Sequence, residues 1–282
     1  MLSKVLERIV YRRLFVHVEP FLPIGQSGFR KNDGTVLQLT RIVQSIATAI
    51  NDKNVVASYY LSKAFERVWH DGLLAKLAHI GIGGSLLAWF NDYLNGRKQR
   101  VRVESATSCW QLIPAGVPQG SVLGRLLFLI YTYDLPATIP KPVLRNQFAD
   151  DTSLCSFAKS QKKCSEQLQA ATTNAGKWLK EWRMSVNLSK TSVMSTSFRK
   201  GKEADLNISL YNAPLTQKDY QCHLGLILLN DLRWNRHIDS VLSQAGRFLG
   251  VLKRLRSMLT VKASLYFYKA YIRPMNENAD VV

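Results

Sequence analysis

Asp150 and Asp151 stand side by side between two stretches, 143–149 and 152–157, that read as strands. Adjacent carboxylates repel each other, and they make a poorer two-residue turn than Asn-Gly. Chemistry explains the pair: a hard dication such as Mg²⁺ takes oxygen ligands, commonly one or two carboxylates together with substrate phosphates. A tight hairpin in a sheet would hold Asp150 at a fixed point. The alternative is an ordinary hairpin with a polar turn.

The rest of the chain alternates long helical patterns with isolated strands. Leu2, Val5, Leu6, Ile9, Val10 and Leu14 fall at helical spacing, and Pro20, Pro23 and Gly25 open a loop. A second helix is predicted from about Asp33 to Ile50, then a buried strand from Val55 to Tyr60. Helices are expected over 71–79 and 84–95, the latter with a stripe of Trp89, Phe90 and Tyr93 that reads as core packing. Arg100-Val101-Arg102-Val103 alternates as a strand does, beside Arg97 and Lys98. That basic cluster reads equally as a charge-guarded edge and as a phosphate contact. Helices are predicted over 121–134, 161–184, 235–256 and 261–272, and strands near 191–196, 206–211 and 220–228. Such an order suggests an α+β layer fold rather than a barrel.

The 282 residues are 46% hydrophobic, enough for a sizeable core. Against 20 acidic residues stand 38 Lys and Arg, a net charge of +18, which suggests a polyanionic partner; nucleic acid is the commonest one. Cys109, Cys155, Cys164 and Cys222 stand apart with no Cys-x-x-Cys spacing, so neither a zinc site nor a redox pair is signalled, and reduced intracellular thiols fit. No signal peptide or membrane span is read from the sequence. The expectation is an intracellular protein of nucleus or cytoplasm, not secreted.

Further motifs surround the aspartates. Gln26-Ser27-Gly28-Phe29-Arg30 comes first, then Leu61-Ser62-Lys63-Ala64-Phe65 after a strand. The segment Gly116-Val117-Pro118-Gln119-Gly120-Ser121-Val122-Leu123-Gly124 follows, with glycines that let backbone approach a flat ligand. Trp178, Trp182, Asn187 and Lys190 lie downstream. In this order and spacing the set resembles the reverse transcriptases of non-LTR (LINE-type, jockey-like) retrotransposons. The likeness runs from Lys4-Val5-Leu6-Glu7-Arg8 to Tyr271-Ile272-Arg273-Pro274.

The resemblance implies a right-hand polymerase: fingers over 1–52, a palm with a small antiparallel sheet and interleaved fingers segments over 53–228, and the beginning of a thumb over 229–282. It implies an RNA template, a DNA primer, deoxynucleoside triphosphates and two Mg²⁺ ions held between carboxylates. By position Asp150 matches the metal-ligating aspartate and Asp151 its neighbour. Phe65 matches the aromatic gate against a ribose 2′-hydroxyl, Gln119 the glutamine at the nascent base pair, and Arg30 the fingers arginine facing the triphosphate. Lys190 matches the palm lysine that protonates pyrophosphate. Basic residues of the closing segment, such as Arg236, Arg247 and Lys253, match a thumb that tracks duplex phosphates.

One departure from that pattern falls on the chemistry. The family places an aspartate one residue before Leu-Ser-Lys-Ala-Phe; here that residue is Tyr60. A phenol, with a reference pKa near ~10, cannot replace a carboxylate bridging two dications, and Glu66, six residues on, does not rescue it. Arg125 stands in place of Pro, Tyr133 in place of Asn and His223 in place of Tyr, each reachable by one nucleotide substitution. The ends also read as cut within the fingers and the thumb, without the endonuclease domain of full-length elements. The expectation is therefore a polymerase by descent with impaired activity. The alternatives are an inactive nucleic-acid-binding remnant, and a group II intron maturase, against which Leu224-Gly225-Leu226 followed by Trp234 and His237 argues.

Overall fold

A helix that is apolar on every side must lie inside the molecule. In the computed structural model of the chain, every residue of the stretch Leu123–Thr132 except Arg125 is buried. The structure describes residues 2–30, 32–52, 55–62, 67–196 and 205–277. The helices are α1 (Leu2–Val18), α2 (Thr35–Asn51), α3 (His70–His79), α4 (Gly84–Leu94), α5 (Leu123–Thr132), α6 (Gln161–Glu181), α7 (Asn235–Leu255), α8 (Val261–Phe267) and α9 (Arg273–Asn276). The strands are β1 (Val55–Ser62), β2 (Lys98–Gln99), β3 (Arg102–Val103), β4 (Ala106–Thr107), β5 (Gln111–Leu112), β6 (Leu144–Phe148), β7 (Asp151–Ala158), β8 (Ser192–Thr196), β9 (Ser209–Leu210), β10 (Ala213–Pro214), β11 (Thr216–Gln217), β12 (Tyr220–His223) and β13 (Leu226–Leu229).

The central sheet has the order β11-β8-β1-β7-β6, antiparallel except for β11 beside β8. Strand alternation divides its side chains between two faces. Val56 and Met194 pack toward α2 with Ile42, Ile46 and Leu39; Leu154 and Val193 join the main core with α6 residues such as Leu168 and Leu179. This is the layered α+β arrangement that the sequence predicts. Beside it α1, α3, α4 and α5 pack around Leu73, Leu77, Phe90 and Phe128.

Two local expectations need correction. The stretch 220–228 is a hairpin rather than one strand, because Leu224 (φ 50°) and Gly225 (φ 88°) both take left-handed backbone and turn the chain between β12 and β13. Helix α6 ends at Glu181, three residues early. Arg183 takes φ 51°, and Met184 N donates to Leu179 O at 2.8 Å, closing the helix end.

Trp178 and Trp182, marked in the sequence as a motif, join α3 to the end of α6. Lys76 of α3 is only 3% exposed. Its ammonium donates to Tyr131 O and to Asp134 Oδ1, both at 2.6 Å, and lies 3.6 Å from the Trp182 ring centroid and 4.7 Å from that of Trp178. Trp178 Nε1 donates to the same Asp134 oxygen at 3.1 Å. Tyr133, one of the departures from the family pattern, supplies a further ring 5.6 Å away. Burial lowers the Lys76 pKa to about 8, with Asp134 opposing the fall.

His223 is buried on β12, and burial lowers its pKa from 6.5 to about 4. The fold therefore favours neutral imidazole. Its contribution to stability is complete above pH 6.5 and is lost as pH falls from 6.5 toward 4, at most about 3 kcal/mol. Urea unfolding at pH 7.0 and 4.5 checks this: His223→Tyr should lose about 1–3 kcal/mol less than the unmodified chain between the two pH values.

Candidate active site

Strands β6 and β7 are joined by a two-residue turn, Ala149-Asp150, with Phe148 partnered by Asp151. The sequence predicts a hairpin here with Asp150-Asp151 as its turn; the turn lies one residue earlier, so Asp150 is at the tip and Asp151 opens β7. Ala149 takes φ 54°, a left-handed conformation that costs a residue with a Cβ about 1–2 kcal/mol. Across β7, Asp151 is the register partner of Ser62 and Ser153 that of Tyr60. Tyr60 is also the partner of Ser192 on β8. The residue in the expected aspartate position thus sits on the strand next to the paired carboxylates.

The turn is held from outside by the loop after α1. Ser27 N donates to Gln147 O at 2.9 Å and Gln147 N to Gly25 O at 2.8 Å, a short parallel bridge along the β6 edge. A Cβ on Gly28 would lie 2.2 Å from Ala149 N, and one on Gly25 would lie 2.6 Å from Arg145 O. Only glycine allows this approach. Gln26 Oε1 accepts from Gly28 N at 3.1 Å, and Arg41 Nη1 donates to Ser27 Oγ at 3.1 Å. The first three residues of the motif that ends in Arg30 are therefore a clamp on the Asp150 hairpin.

A second loop is fixed just as firmly. Glu7 of α1, buried, accepts from Val122 N at 2.6 Å and Leu123 N at 3.2 Å, placing a carboxylate at the positive end of α5. Ser121 Oγ donates to Pro118 O at 2.7 Å and accepts from Gly124 N at 2.8 Å; a Cβ on Gly124 would lie within 2.8 Å of both groups. Buried His70 meets Gly116 O at 2.9 Å through Nε2. Glu7 and His70 were not singled out by sequence reasoning. Glu7 acts 115 residues away in the chain, so no local pattern marks it.

Asp151 and Lys190 line one cavity of about 370 Å³, with Lys218, Ser192, Gln221 and His223. Gln119 lines a separate one of about 160 Å³ with Phe29 and Arg125, whose guanidinium lies 5.3 Å from the Phe29 ring. Phe29, which lines the second cavity, directly follows Gly28 of the clamp. Arg30 Nη1 donates to Pro23 O at 3.1 Å within its own loop. Phe65 and Glu66 lie outside the described residues.

A small antiparallel sheet with paired carboxylates at a hairpin tip and helices on both faces is the palm of a right-hand polymerase. The profile of the reverse transcriptase (RNA-dependent DNA polymerase) family matches residues 1–251, and the chain belongs to that family. It is 30% identical over 284 residues to the probable RNA-directed DNA polymerase from transposon X-element of Drosophila melanogaster. It is also 30% identical over 287 residues to the RNA-directed DNA polymerase from mobile element jockey of the same fly. Both alignments cover 97% of this chain, which spans only 31% of each relative's length. These bear out the likeness to non-LTR elements. Among solved structures, apo telomerase from Candida tropicalis matches over 98% of this chain and 51% of its own, with a TM-score of 0.53 at 10% identity. The same enzyme with a fragment of telomeric RNA matches over 100% and 46%, with a TM-score of 0.50 at 12% identity. At such identities the likeness is one of fold.

Gly28→Ala should displace the Ala149-Asp150 turn, because backbone cannot yield as a flexible side chain does. The expected cost is about 1–3 kcal/mol of stability, read by urea unfolding. Gly250→Ala, within α7 where a Cβ meets nothing within 4 Å, is the control and should be neutral or stabilising by up to about 1 kcal/mol.

Proposed function

We propose that this chain is the core of a polymerase that copies an RNA template from a DNA primer, with its chemistry weakened at Tyr60. The observation that carries this reading is the register of β1 against the carboxylate hairpin: Ser62 opposite Asp151, and Tyr60 two residues earlier. Fingers over 1–52, palm over 53–228 and the beginning of a thumb over 229–282 divide the chain. It acts inside the cell, in nucleus or cytoplasm, within a ribonucleoprotein; no helix among the described residues is long and apolar enough to cross a membrane.

The donor set suits one hard cation better than two. Asp150 and Asp151 offer carboxylates to a Mg²⁺ that arrives with nucleotide phosphates. Among the described residues no group of three or more His, Cys, Asp or Glu is gathered. A second ion needs a bridging carboxylate, and the neutral phenol of Tyr60 does not provide one. Bound metal supplies acidity at the primer 3′-hydroxyl and offsets charge on the α-phosphate. Lys190, on the cavity it shares with Asp151, hands a proton to the departing pyrophosphate. Gln119 meets the nascent base pair, Arg30 faces the triphosphate, and Phe65 excludes the 2′-hydroxyl. The deoxynucleoside triphosphate is thereby oriented by side chains that are themselves held by the Gly28 and Glu7 contacts. A remnant that holds nucleic acid without chemistry is the second reading, favoured by Tyr60 together with the +18 charge.

Extension of a labelled DNA primer on RNA in Mg²⁺ tests the proposal. The chain should extend poorly, Tyr60→Asp should raise the rate about 100-fold or more, and Asp150→Ala in that background should abolish it. Efficient extension by the unmodified chain, lost on Asp150→Ala, would refute the metal argument. Silence of Tyr60→Asp together with tight duplex binding would favour the remnant.

In the Tyr60→Asp background, Phe65→Ala should admit ribonucleotides. An unchanged preference for deoxynucleotides would make Phe65 a packing residue. Binding to RNA–DNA duplex should weaken steeply with salt, whereas a flat titration would remove support from both readings.

A further inference from the structure

The basic hairpin after α4 has no part in the palm chemistry, yet its construction points to a ligand. β2 pairs with β5 and β3 with β4, and the chain reverses at Glu104-Ser105, where Glu104 takes φ 52°. Every residue from 98 to 112 is exposed, so neither face rests on the body of the protein. A free two-stranded ribbon is marginal in water. This one nevertheless displays Val101, Val103, Trp110 and Leu112, each more than half exposed.

Alternation puts Lys98, Arg100 and Arg102 on one face, about 7 Å apart in succession. Leu112 pairs with Lys98, and Thr107 with Arg102. Between them the Arg100 guanidinium lies 4.5 Å from the Trp110 ring centroid. Between Arg97 and Ile113 the chain has four cations and one acid, Glu104. Arg97 is engaged with Tyr93, donating to its carbonyl at 3.2 Å. Arg102 Nε donates to Glu104 O at 3.1 Å, and among the described residues none of Lys98, Arg100 and Arg102 is in an ion pair.

We propose that this face is a binding surface for single-stranded RNA, its three cations following the backbone and the Arg100–Trp110 pair stacking an unpaired base. Charge complementarity selects a polyanion: three adjacent cations repel a second copy of a +18 chain. The aromatic selects a single strand, since a duplex keeps its base faces covered, whereas aromatic rings and guanidinium planes stack exposed bases. Cations at alternate strand residues repeat on the scale of successive nucleotides. The proposal rests on the RNA-template reading and places a contact outside the palm, independent of catalysis.

The test is fluorescence anisotropy of a labelled 15-nucleotide polyuridine RNA, and separately of an RNA–DNA duplex, titrated with the full chain from 50 to 300 mM salt. Removal of Lys98, Arg100 and Arg102 together (K98Q/R100Q/R102Q) should lower the single-strand affinity at least 10-fold at low salt. It should also reduce the slope of log affinity against log salt by about 2, at about 0.7 per phosphate contact. Trp110→Ala should lower affinity about 10-fold with a smaller change of slope. The hairpin stands clear of the core, so circular dichroism should be unchanged in both variants; Gln99→Ala/Gln111→Ala, on the opposite face, should bind as the unmodified chain does. Single-strand binding by the triple variant with unaltered affinity and slope would overturn the proposal. So would loss of self-association on sedimentation with no loss of RNA binding, which would make the hairpin a protein interface. Duplex binding by all variants with no single-strand binding by the unmodified chain would overturn the proposal and leave the polymerase reading standing.

Discussion

The approach of Gly28 to the backbone of Ala149 is the contact on which the site depends. A hairpin tip that carries two carboxylates gains little from its own turn, since Ala149 is in left-handed backbone and Asp150 and Asp151 repel. The tip is held by what lies against it. Glycine at 28 lets the loop after α1 come within reach, and the Ser27–Gln147–Gly25 hydrogen bonds extend β6 by a short outer strand. The same bridge covers a sheet edge that would otherwise invite pairing with another chain. Stability and placement of the carboxylates thus come from a single packing arrangement.

That arrangement continues into the core. Helix α1, whose end leads into the clamp, also carries Glu7, which caps α5 and so sets the Gln119 loop. Helix α3 anchors the same loop through His70, and joins α6 through Lys76 inside its ring of Trp178, Trp182 and Tyr133. A buried ammonium without a carboxylate partner would be costly; Asp134, bonded to both Lys76 and Trp178, meets that need. Two charges at long sequence separation, Glu7 and Lys76, therefore tie α1 to α5 and α3 to the end of α6.

The reach of sequence reasoning follows from these contacts. Periodicity marks α2, α5 and β1 because each buries a regular apolar face or core, and the Asp150-Asp151 pair is visible because adjacent carboxylates in a turn need a reason. Gly28 and Glu7 fall inside segments that the resemblance marks, but their roles as clamp and cap are not legible, because their partners lie more than a hundred residues away. The turn at Leu224 was hidden for a different reason: leucine rarely adopts φ 50°, so an apolar run through it reads as an unbroken strand.

Tyr60 and the basic hairpin bear on different halves of function. On the reading proposed above, tyrosine in place of a carboxylate at position 60 acts at one point, while β1 keeps its register from Val55 to Ser62. Attraction for nucleic acid is spread over 38 basic residues, so single substitutions reduce it only by increments. A chain altered at Tyr60 would therefore lose catalysis long before it lost its hold on RNA. In the proposed polymerase, chemistry would depend on a few atoms and binding on many.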